Sequence, residues 1–317
     1  MKKIIDLHCD TLTATTEDGT PLKNPLYNNN CDMAFSKVPK GVNWAQMHAI
    51  FMPDRLRGNE AIDFYNEIKK SYFDQLKLFE DSVMQCSSSV DIESAWSDEK
   101  FASILTVEGG SVLAGNPERV KEIAKDGVKV MTLVWNGENE IGSGHNTEKG
   151  LSEFGKAVIP LMEDNGIIID ISHLNDRGFD DLLKVASKPF MATHSNARTV
   201  CSHKRNLTDD MIKELVKRNC LIGLNYYTAF ISDTLTDGAT VDYADMFYQH
   251  IRHFIDLGAE KNLALGSDFD GAQLPDCLSS PSKVIEMYEY LLKRGLSSDQ
   301  LDDIYFRNAL SFIRNNM

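Results

Sequence analysis

Positive charge is scarce in this sequence. Its 317 residues include 33 lysines and arginines against 47 aspartates and glutamates, which gives a formal net charge of −14. Proteins that bind nucleic acid without regard to sequence do so by neutralising phosphates with cationic side chains. The charge balance therefore argues against nucleic acid as a partner, and any anionic small molecule must be recognised by local cationic groups.

Long apolar runs and paired cysteines are also lacking. No run approaches the roughly 18 apolar residues that a membrane-spanning helix needs, so no membrane segment is expected. Asp6, His8 and Asp10 interrupt any apolar core of a signal peptide, and residues 314–317 are too polar for a lipid-anchor signal. The six cysteines contain no CxxC pair and are too sparse for a disulfide scaffold. We therefore expect a cytoplasmic protein, and the sequence leaves open whether it forms a homodimer.

Short apolar runs alternate with longer segments of helical period, as is typical of parallel strands covered on both faces. The predicted strands are Lys3–His8, Trp44–Phe51, Ser103–Glu108, Val128–Val134, Ile167–Ser172, Pro189–Thr193, Leu221–Asn225 and Leu263–Ser267. This pattern predicts an α/β fold of the (β/α)8 TIM-barrel class, with residues 1–317 as a single domain and Tyr226–Tyr243 as a long loop at its mouth. A doubly wound open sheet is the alternative, but no GxGxxG motif follows any predicted strand.

Ionisable residues directly follow several of these strands, and in a (β/α)8 barrel the active-site side chains lie at the carboxyl ends of the strands. Strand alternation would project Asp6 together with His8 and Asp10. Three imidazoles and three carboxylates at one mouth suit Zn²⁺, with one carboxylate bridging two ions and another serving as proton carrier. The candidates are His8, Asp10, Glu108, His173, His194 and Asp268.

Five longer segments of the sequence carry a similarity to a known family. They are DLHCDTL at 6–12, VEGG at 107–110, LSEFGKAVIPLMEDNGIIIDISH at 151–173, THSNARTVCSHKRNLTDDMI at 193–212 and GSDFDG at 266–271. In this order they resemble the membrane (renal) dipeptidase family, peptidase family M19, within the amidohydrolase-like metal-dependent barrels. Because several segments are long and together extend along most of the chain, the similarity is specific.

The resemblance implies a site with two zinc ions per chain. His8 and Asp10 would bind one ion. His173 and His194 would bind the other, and Glu108 would bridge the two. The implied activity is that of a binuclear zinc dipeptidase that cleaves small dipeptides with free termini and tolerates a D-residue at the C-terminal position.

The resemblance also implies roles in catalysis and in substrate binding. Asp268 would be the acid/base that takes a proton from the attacking water and returns it to the leaving amine. Arg205 would bind the carboxylate of the substrate, although without the resemblance it would be interpreted as a surface arginine beside Lys204. An arginine suits this role because its planar guanidinium matches a carboxylate in a bidentate manner.

The sequence departs from the family at one position on the substrate side. Family members carry a histidine after the fourth strand that contacts the reacting carbonyl, and Trp135 stands where that imidazole would be. An indole donates one hydrogen bond but cannot become charged. His145, in the following glycine-rich loop, is the candidate to replace this contact, although its loop position alone is more typical of a surface histidine.

Two alternative functions stay open from the sequence. An amidohydrolase of the same mechanism could act on a non-peptide amide, a lactone or a cyclic amide. A metal-binding barrel without turnover is the second alternative, and the replacement at Trp135 is the only feature that favours it. The presence of Asp268 together with every ligand candidate favours an enzyme.

Overall fold

Eight parallel strands form the centre of the protein, whose computed structural model describes residues 2–17, 20–21, 26–233 and 242–317. The strands of the described residues are β1 (Lys2–Cys9), β2 (Thr16–Glu17), β3 (Thr20–Pro21), β4 (Val42–Phe51), β5 (Val83–Gln85), β6 (Phe101–Glu108), β7 (Val130–Thr132), β8 (Ile168–Asp170), β9 (Met191–Ala192), β10 (Leu221–Leu224) and β11 (Leu263–Leu265). The parallel strands follow one another in the order β4-β1-β11-β10-β9-β8-β7-β6, and β6 pairs back with β4 to close a barrel. The closed ring confirms the predicted (β/α)8 class.

Helices follow the barrel strands along the chain and cover them. Those of the described residues are α1 (Thr11–Ala14), α2 (Gly58–Leu78), α3 (Ser89–Ser97), α4 (Arg119–Lys125), α5 (Glu153–Asp164), α6 (Asp176–Val185), α7 (Asp209–Lys217), α8 (Thr228–Ile231), α9 (Tyr243–Asp256), α10 (Pro281–Lys293), α11 (Ser298–Asp302) and α12 (Asn308–Asn316). A π-helical turn, Asp303–Arg307, connects α11 to α12. Within the described part of the chain, none of the helices combines the length and hydropathy that crossing a bilayer requires.

The predicted strands are all present, but several are shorter than the apolar runs. The run Pro189–Thr193 yields only Met191–Ala192 as strand, because the backbone N–H of Thr193 donates to the side chain of Asp170 at 2.8 Å and leaves the ladder. β5, which pairs with the first residues of β6, was not predicted from the sequence. The predicted loop Tyr226–Tyr243 contains the short helix α8, and its residues 234–241 lie outside the described residues.

The barrel interior is filled by apolar side chains on the side away from the carboxyl ends of its strands. Residues of successive strands, among them Leu7, Met47 and Ile104, form one buried cluster with Ala309 and Ile313 of α12. α12 therefore closes this end of the barrel. The polar side chains that could carry chemistry are left at the opposite end, where the strands terminate.

Candidate metal centre

β1 delivers two of the candidate ligands to the barrel mouth through an irregularity in its pairing. Its residues up to Asp6 pair with β4 in one register, and Cys9 pairs in a register shifted by one residue. A bulge of this kind inserts an extra residue into one strand and re-aims the side chains beside it. Beyond the shift, His8 Nε2 and Asp10 Oδ1 lie 3.6 Å apart, and Asp10 is the N-cap residue of α1.

Asp6 does not join this pair, so the strand-alternation prediction for it was wrong. Its Oδ1 accepts hydrogen bonds from the backbone N–H groups of His8 at 3.2 Å and Ser267 at 2.9 Å. The register shift breaks the two-residue alternation that would have grouped Asp6 with His8 and Asp10. Asp6 instead ties the carboxyl end of β1 to that of β11.

Glu108, the last residue of β6, lies at the centre of the candidate ligands. Its Oε1 is 2.8 Å from His173 Nε2 and 3.7 Å from His194 Nε2. Its Oε2 is 3.6 Å from His8 Nε2. The two oxygens of one buried carboxylate therefore face imidazoles from different strands, which is the arrangement that a bridging ligand requires.

His173 and His194 converge on one point although they follow different strands. Their Nε2 atoms are 3.0 Å apart. Two ligand atoms of a tetrahedral zinc ion, each at about 2.0–2.1 Å, lie roughly 3.3 Å from one another, so this spacing fits a shared ion. His173 reaches the position with a φ of +77°, a left-handed conformation that is uncommon outside glycine and that clusters at functional sites.

Asp268 approaches the cluster from the end of β11, again with a left-handed φ, of +63°. Its Oδ1 is 3.9 Å from His8 Nε2, and its Oδ2 accepts a hydrogen bond from Asn225 Nδ2 at 3.0 Å. The neighbouring Gly271 is needed for this approach, because a Cβ there would overlap Asp10 Oδ2 and lie 2.5 Å from Asp268 Oδ1. The chain thus makes room for two carboxylates beside one imidazole.

Burial and mutual repulsion dominate the electrostatics of the cluster. Burial raises the pKa of Glu108 to about 8, with a further contribution from the charge of Asp10. Burial also lowers the pKa of His173 and of His194 far below the ordinary value. For His8 burial acts in the same downward direction, but the charges of Glu108 and Asp10 outweigh it and raise its pKa. The crowded carboxylates beside the neutral imidazoles of His173 and His194 form a site that a cation would stabilise.

The donor atoms themselves fit a divalent metal ion. His8 Nε2, Asp10 Oδ1 and Glu108 Oε2 are buried and have no hydrogen-bond partner among the described residues. The ligand atoms of His8, Glu108 and His194 all lie within 4.8 Å of one another, and so do those of His8, Asp10 and Asp268. Buried polar atoms without partners are costly, and binding to a cation would satisfy them. Imidazole and carboxylate donors are those that zinc accepts.

Arg205 lies beside the cluster and is 4% exposed, so it is not a surface arginine. Its Nη1 donates to Ser195 Oγ and its Nη2 to the carbonyl oxygen of His194, both at 3.3 Å, while its Nε has no partner among the described residues. Its guanidinium also lies over the ring of Phe230, 5.2 Å from the centroid. Burial lowers the pKa of Arg205 to about 10. Within the described part of the chain no carboxylate forms an ion pair with it, so a buried cation is left for an anionic ligand.

Trp135 and His145 both lie against His173. The ring centroids are 6.5 Å apart for Trp135 and His173, and 5.9 Å apart for His145 and His173. His145 is half-buried and its Nδ1 has no partner among the described residues, whereas Trp135 packs edge-on against Phe51 at 4.9 Å. Burial, followed by the charge of Arg205, lowers the pKa of His145 to about 3. His145 is therefore a neutral imidazole next to the cluster rather than a surface residue.

Two asparagines contact the cluster and were not singled out from the sequence. Asn136 Oδ1 lies 2.9 Å from His173 Nδ1, and Asn225 Nδ2 donates to Asp268 as described. Asn225 is fully buried and its Oδ1 accepts from the backbone N–H of Tyr227 at 2.5 Å, which fixes the orientation of its amide. Both asparagines lie just beyond the ends of strands, and this position is the signal that could have identified them.

A family comparison decides what kind of protein carries this site. The model of the membrane dipeptidase family, peptidase family M19, matches residues 1–316. The chain belongs to the membrane dipeptidase family. It is therefore a metallo-dipeptidase, a metal-dependent hydrolase of peptide bonds, as the resemblance of its sequence motifs predicted. A metal-binding barrel without turnover is disfavoured by the same result.

Relatives of this M19 dipeptidase include proteins from bacteria and fungi. An uncharacterized protein in the pqqA 5′ region of Klebsiella pneumoniae is 32% identical over 239 residues, which are 73% of this chain and 88% of that protein. An uncharacterized dipeptidase of Schizosaccharomyces pombe is 33% identical over 216 residues, which are 66% of this chain and 52% of that protein. A metallo peptidase from Rhodobacter sphaeroides, solved with a phosphinate mimic of the dipeptide L-Ala-D-Ala, superposes with a TM-score of 0.92 at 20% identity, covering 100% of this chain and 99% of its own. The last similarity shows that the fold is shared.

Proposed function

We propose that this dipeptidase uses two zinc ions to hydrolyse small dipeptides with free termini, including dipeptides with a D-residue at the C-terminal position. The observation that carries the proposal is the position of Glu108, whose two carboxylate oxygens face His8 on one side and His173 on the other. The ligand of the Rhodobacter sphaeroides structure, a mimic of L-Ala-D-Ala, supports the inclusion of D-residues. We place the enzyme in the cytoplasm, as its sequence predicts.

The five ligand candidates divide into two sets around Glu108. His8 and Asp10 form one set, and their donor atoms are 3.6 Å apart. His194 lies close to the imidazoles of both His8 and His173, and its ring centroid is 4.0 Å from that of His8. We assign it to the same ion as His173 because their Nε2 atoms are 3.0 Å apart and both face the same Glu108 oxygen. Glu108 then provides one oxygen to each set.

The protein side chains supply proton transfer and substrate orientation. Two zinc ions would polarise the scissile carbonyl and acidify the attacking water. Asp268 would accept the proton of that water and return it to the leaving amine. The hydrogen bond from Asn225 occupies Asp268 Oδ2, so that Oδ1, 3.9 Å from His8 Nε2, is the oxygen available for this transfer.

Arg205 would fix the opposite end of the dipeptide. A buried guanidinium without an acidic partner is a strong site for a carboxylate, because the charge–charge interaction is little screened and the fork of N–H groups matches it. His145 would donate a hydrogen bond to the reacting carbonyl oxygen in place of the family histidine, and Trp135 would form the apolar wall beside it. A neutral imidazole can donate one such bond.

Metal analysis combined with dipeptide hydrolysis tests this proposal. Purified full-length protein should contain two equivalents of zinc, hydrolyse L-Ala-D-Ala, lose the activity after chelator treatment and regain it with zinc. A parallel series with non-peptide amides, lactones and cyclic amides provides the comparison. Preferential turnover of that second series would favour the general amidohydrolase, and one equivalent of metal in a fully active enzyme would refute the binuclear site.

A further inference from the structure

Asp170, the last residue of β8, is fully buried beneath the metal centre and is not one of its ligands. Its Oδ1 accepts from the backbone N–H groups of Ser172 and Thr193, at 3.0 and 2.8 Å. Its Oδ2 accepts from the hydroxyl groups of Thr193 at 2.7 Å and Thr132 at 2.6 Å. These contacts from three different strand ends hold the carboxylate in one orientation.

The hydroxyl group of Thr193 connects this carboxylate to a metal ligand. Thr193 Oγ1 lies 2.8 Å from His194 Nδ1. A hydroxyl group has a single proton, and because that of Thr193 is donated to Asp170, its oxygen can only accept from the imidazole. His194 must therefore carry its proton on Nδ1. Its Nε2 then presents a lone pair towards Glu108 and His173, which is the state that a metal ion requires.

We propose that Asp170 and Thr193 are positioning residues for His194: the carboxylate fixes the direction of the threonine hydroxyl, and the hydroxyl fixes the tautomer and ring orientation of the imidazole. The inference rests on the proposed function, in which His194 is a zinc ligand. A carboxylate connected to a metal-bound imidazole strengthens the ligand, and losing such a partner typically lowers metal affinity about 10- to 100-fold. In this protein the hydroxyl group of Thr193 lies between the Asp170 carboxylate and the His194 imidazole.

The chain offers a matched pair of threonines for the test. Thr132 and Thr193 donate similarly short hydrogen bonds, of 2.6 and 2.7 Å, to the same Asp170 oxygen. Among the described contacts of these two hydroxyl groups, only that of Thr193 also involves an imidazole nitrogen. Thr193→Val and Thr132→Val each remove one hydroxyl group at nearly constant shape. Thr193→Ser keeps the hydroxyl group and should still fix the tautomer and orientation of His194.

Zinc affinity of the full-length protein, measured by competition with a chromophoric chelator, is the first readout. We expect Thr193→Val to bind one of its two zinc ions about 10- to 100-fold more weakly, and Thr132→Val and Thr193→Ser to stay within about threefold of the parent. Unchanged affinity in Thr193→Val, or an equal loss in Thr132→Val, would overturn the proposal.

The tautomer of His194 in the metal-free protein is the second readout, and it needs neither activity nor metal. Nitrogen-15 chemical shifts should show the proton on Nδ1 in the parent and a mixture of tautomers in Thr193→Val. A parent His194 protonated on Nε2 would overturn the proposal even if the variant failed to fold. His194→Ala distinguishes failure of the proposed function from failure of the positioning role. If this variant retains both zinc ions, His194 is not a zinc ligand and the proposed function fails. If it loses one ion, the ligand assignment holds, and the Thr193 variants decide whether Thr193 positions the imidazole.

Discussion

The two sides of the metal centre are held in place by different kinds of contact. The His8 side consists of His8, Asp10 and Asp268. Main-chain hydrogen bonds between the ends of β1 and β11 position it: the N–H of Asp10 donates to the carbonyl oxygen of Phe269 at 2.9 Å, and that of Asp268 to the carbonyl oxygen of His8 at 3.2 Å. On this side the donor atoms His8 Nε2 and Asp10 Oδ1 have no hydrogen-bond partner among the described residues.

The His173 side consists of His173 and His194, and side-chain contacts position it. His173 Nδ1 lies 2.9 Å from Asn136 Oδ1, and His194 Nδ1 lies 2.8 Å from Thr193 Oγ1. Each imidazole is thus held through the nitrogen that does not face Glu108. Such contacts select one tautomer and one ring orientation.

The two kinds of contact suit different chemical tasks on the two sides of the metal centre. Main-chain contacts place Asp268, and the side-chain hydrogen bond from Asn225 engages its Oδ2, so that Oδ1 is left for the proposed proton transfer. Side-chain contacts on the Nδ1 atoms of His173 and His194 suit the proposed role of these residues as metal ligands, whose protonation must not change during turnover. Four variants test this difference between the two sides of the metal centre, beginning with Glu108, which contacts both.

Glu108→Gln should have the largest effect because Glu108 contacts both sides. An amide carries no charge and is a poor bridging ligand, so we expect fewer than two equivalents of zinc and a loss of kcat/KM beyond the roughly 10⁴-fold limit for an acid/base. Metal analysis and hydrolysis of L-Ala-D-Ala measure both quantities. Two retained equivalents would remove Glu108 from the bridging role.

Asp268→Asn tests the His8 side alone. If Asp268 transfers protons and contributes little to metal affinity, the variant should keep most of its zinc while kcat falls by roughly 10²–10⁴. The amide is similar in size and can still contact Asn225, which limits structural change. Steady-state kinetics beside metal analysis gives the answer, and a near-normal kcat would contradict the assignment.

Arg205→Met tests substrate binding next to the His173 side. Removing one partner of a buried charge pair costs about 2–5 kcal/mol, so kcat/KM on free dipeptides should fall by roughly 30- to 4,000-fold. Capping the C-terminal carboxylate of the dipeptide as an amide should lower kcat/KM of the parent enzyme by a similar factor. The same capping should lower kcat/KM of Arg205→Met only slightly further. Lys204→Met, which removes a neighbouring exposed charge, should change kcat/KM by no more than about threefold. Equal hydrolysis of capped and free dipeptides by the parent would favour the general amidohydrolase.

The loss expected for His145→Ala has the smallest upper limit of the four. Loss of the hydrogen bond that we propose His145 donates to the developing oxyanion should lower kcat by about 10²–10³ while leaving KM nearly unchanged. Zinc content should not change, because His145 contacts the ring of His173 at 5.9 Å without belonging to the ligand set. An unaffected kcat would leave oxyanion stabilisation to the metals alone.

The barrel was predictable from sequence because its strands are continuous apolar runs in regular alternation with helical segments. The strand prediction departed from the structure in two places, for different reasons. The strand at Pro189–Thr193 is short because Asp170 accepts the backbone N–H of Thr193. β5 was missed because three residues, Val83–Gln85, carry too little pattern to recognise.

The sequence predicted which residues meet at the mouth of the barrel, but it did not predict how their side chains are oriented. Strand ends indicated His8 and Asp10, yet the bulge that re-aims them and excludes Asp6 is a property of pairing with β4. The left-handed conformations of His173 and Asp268 leave no trace in the sequence, since neither residue is glycine. Asn136 was missed because its role depends on the position of a residue 37 places later.

Anomalous X-ray scattering at the zinc edge, from crystals of the zinc-loaded protein, would locate the metal ions and their ligands directly. We expect two peaks per chain, one bound by His8 and Asp10 and the other by His173 and His194, with one Glu108 oxygen on each. The ligand distances should be about 2.0–2.2 Å. A single peak, or two peaks of which one does not contact Glu108, would contradict it.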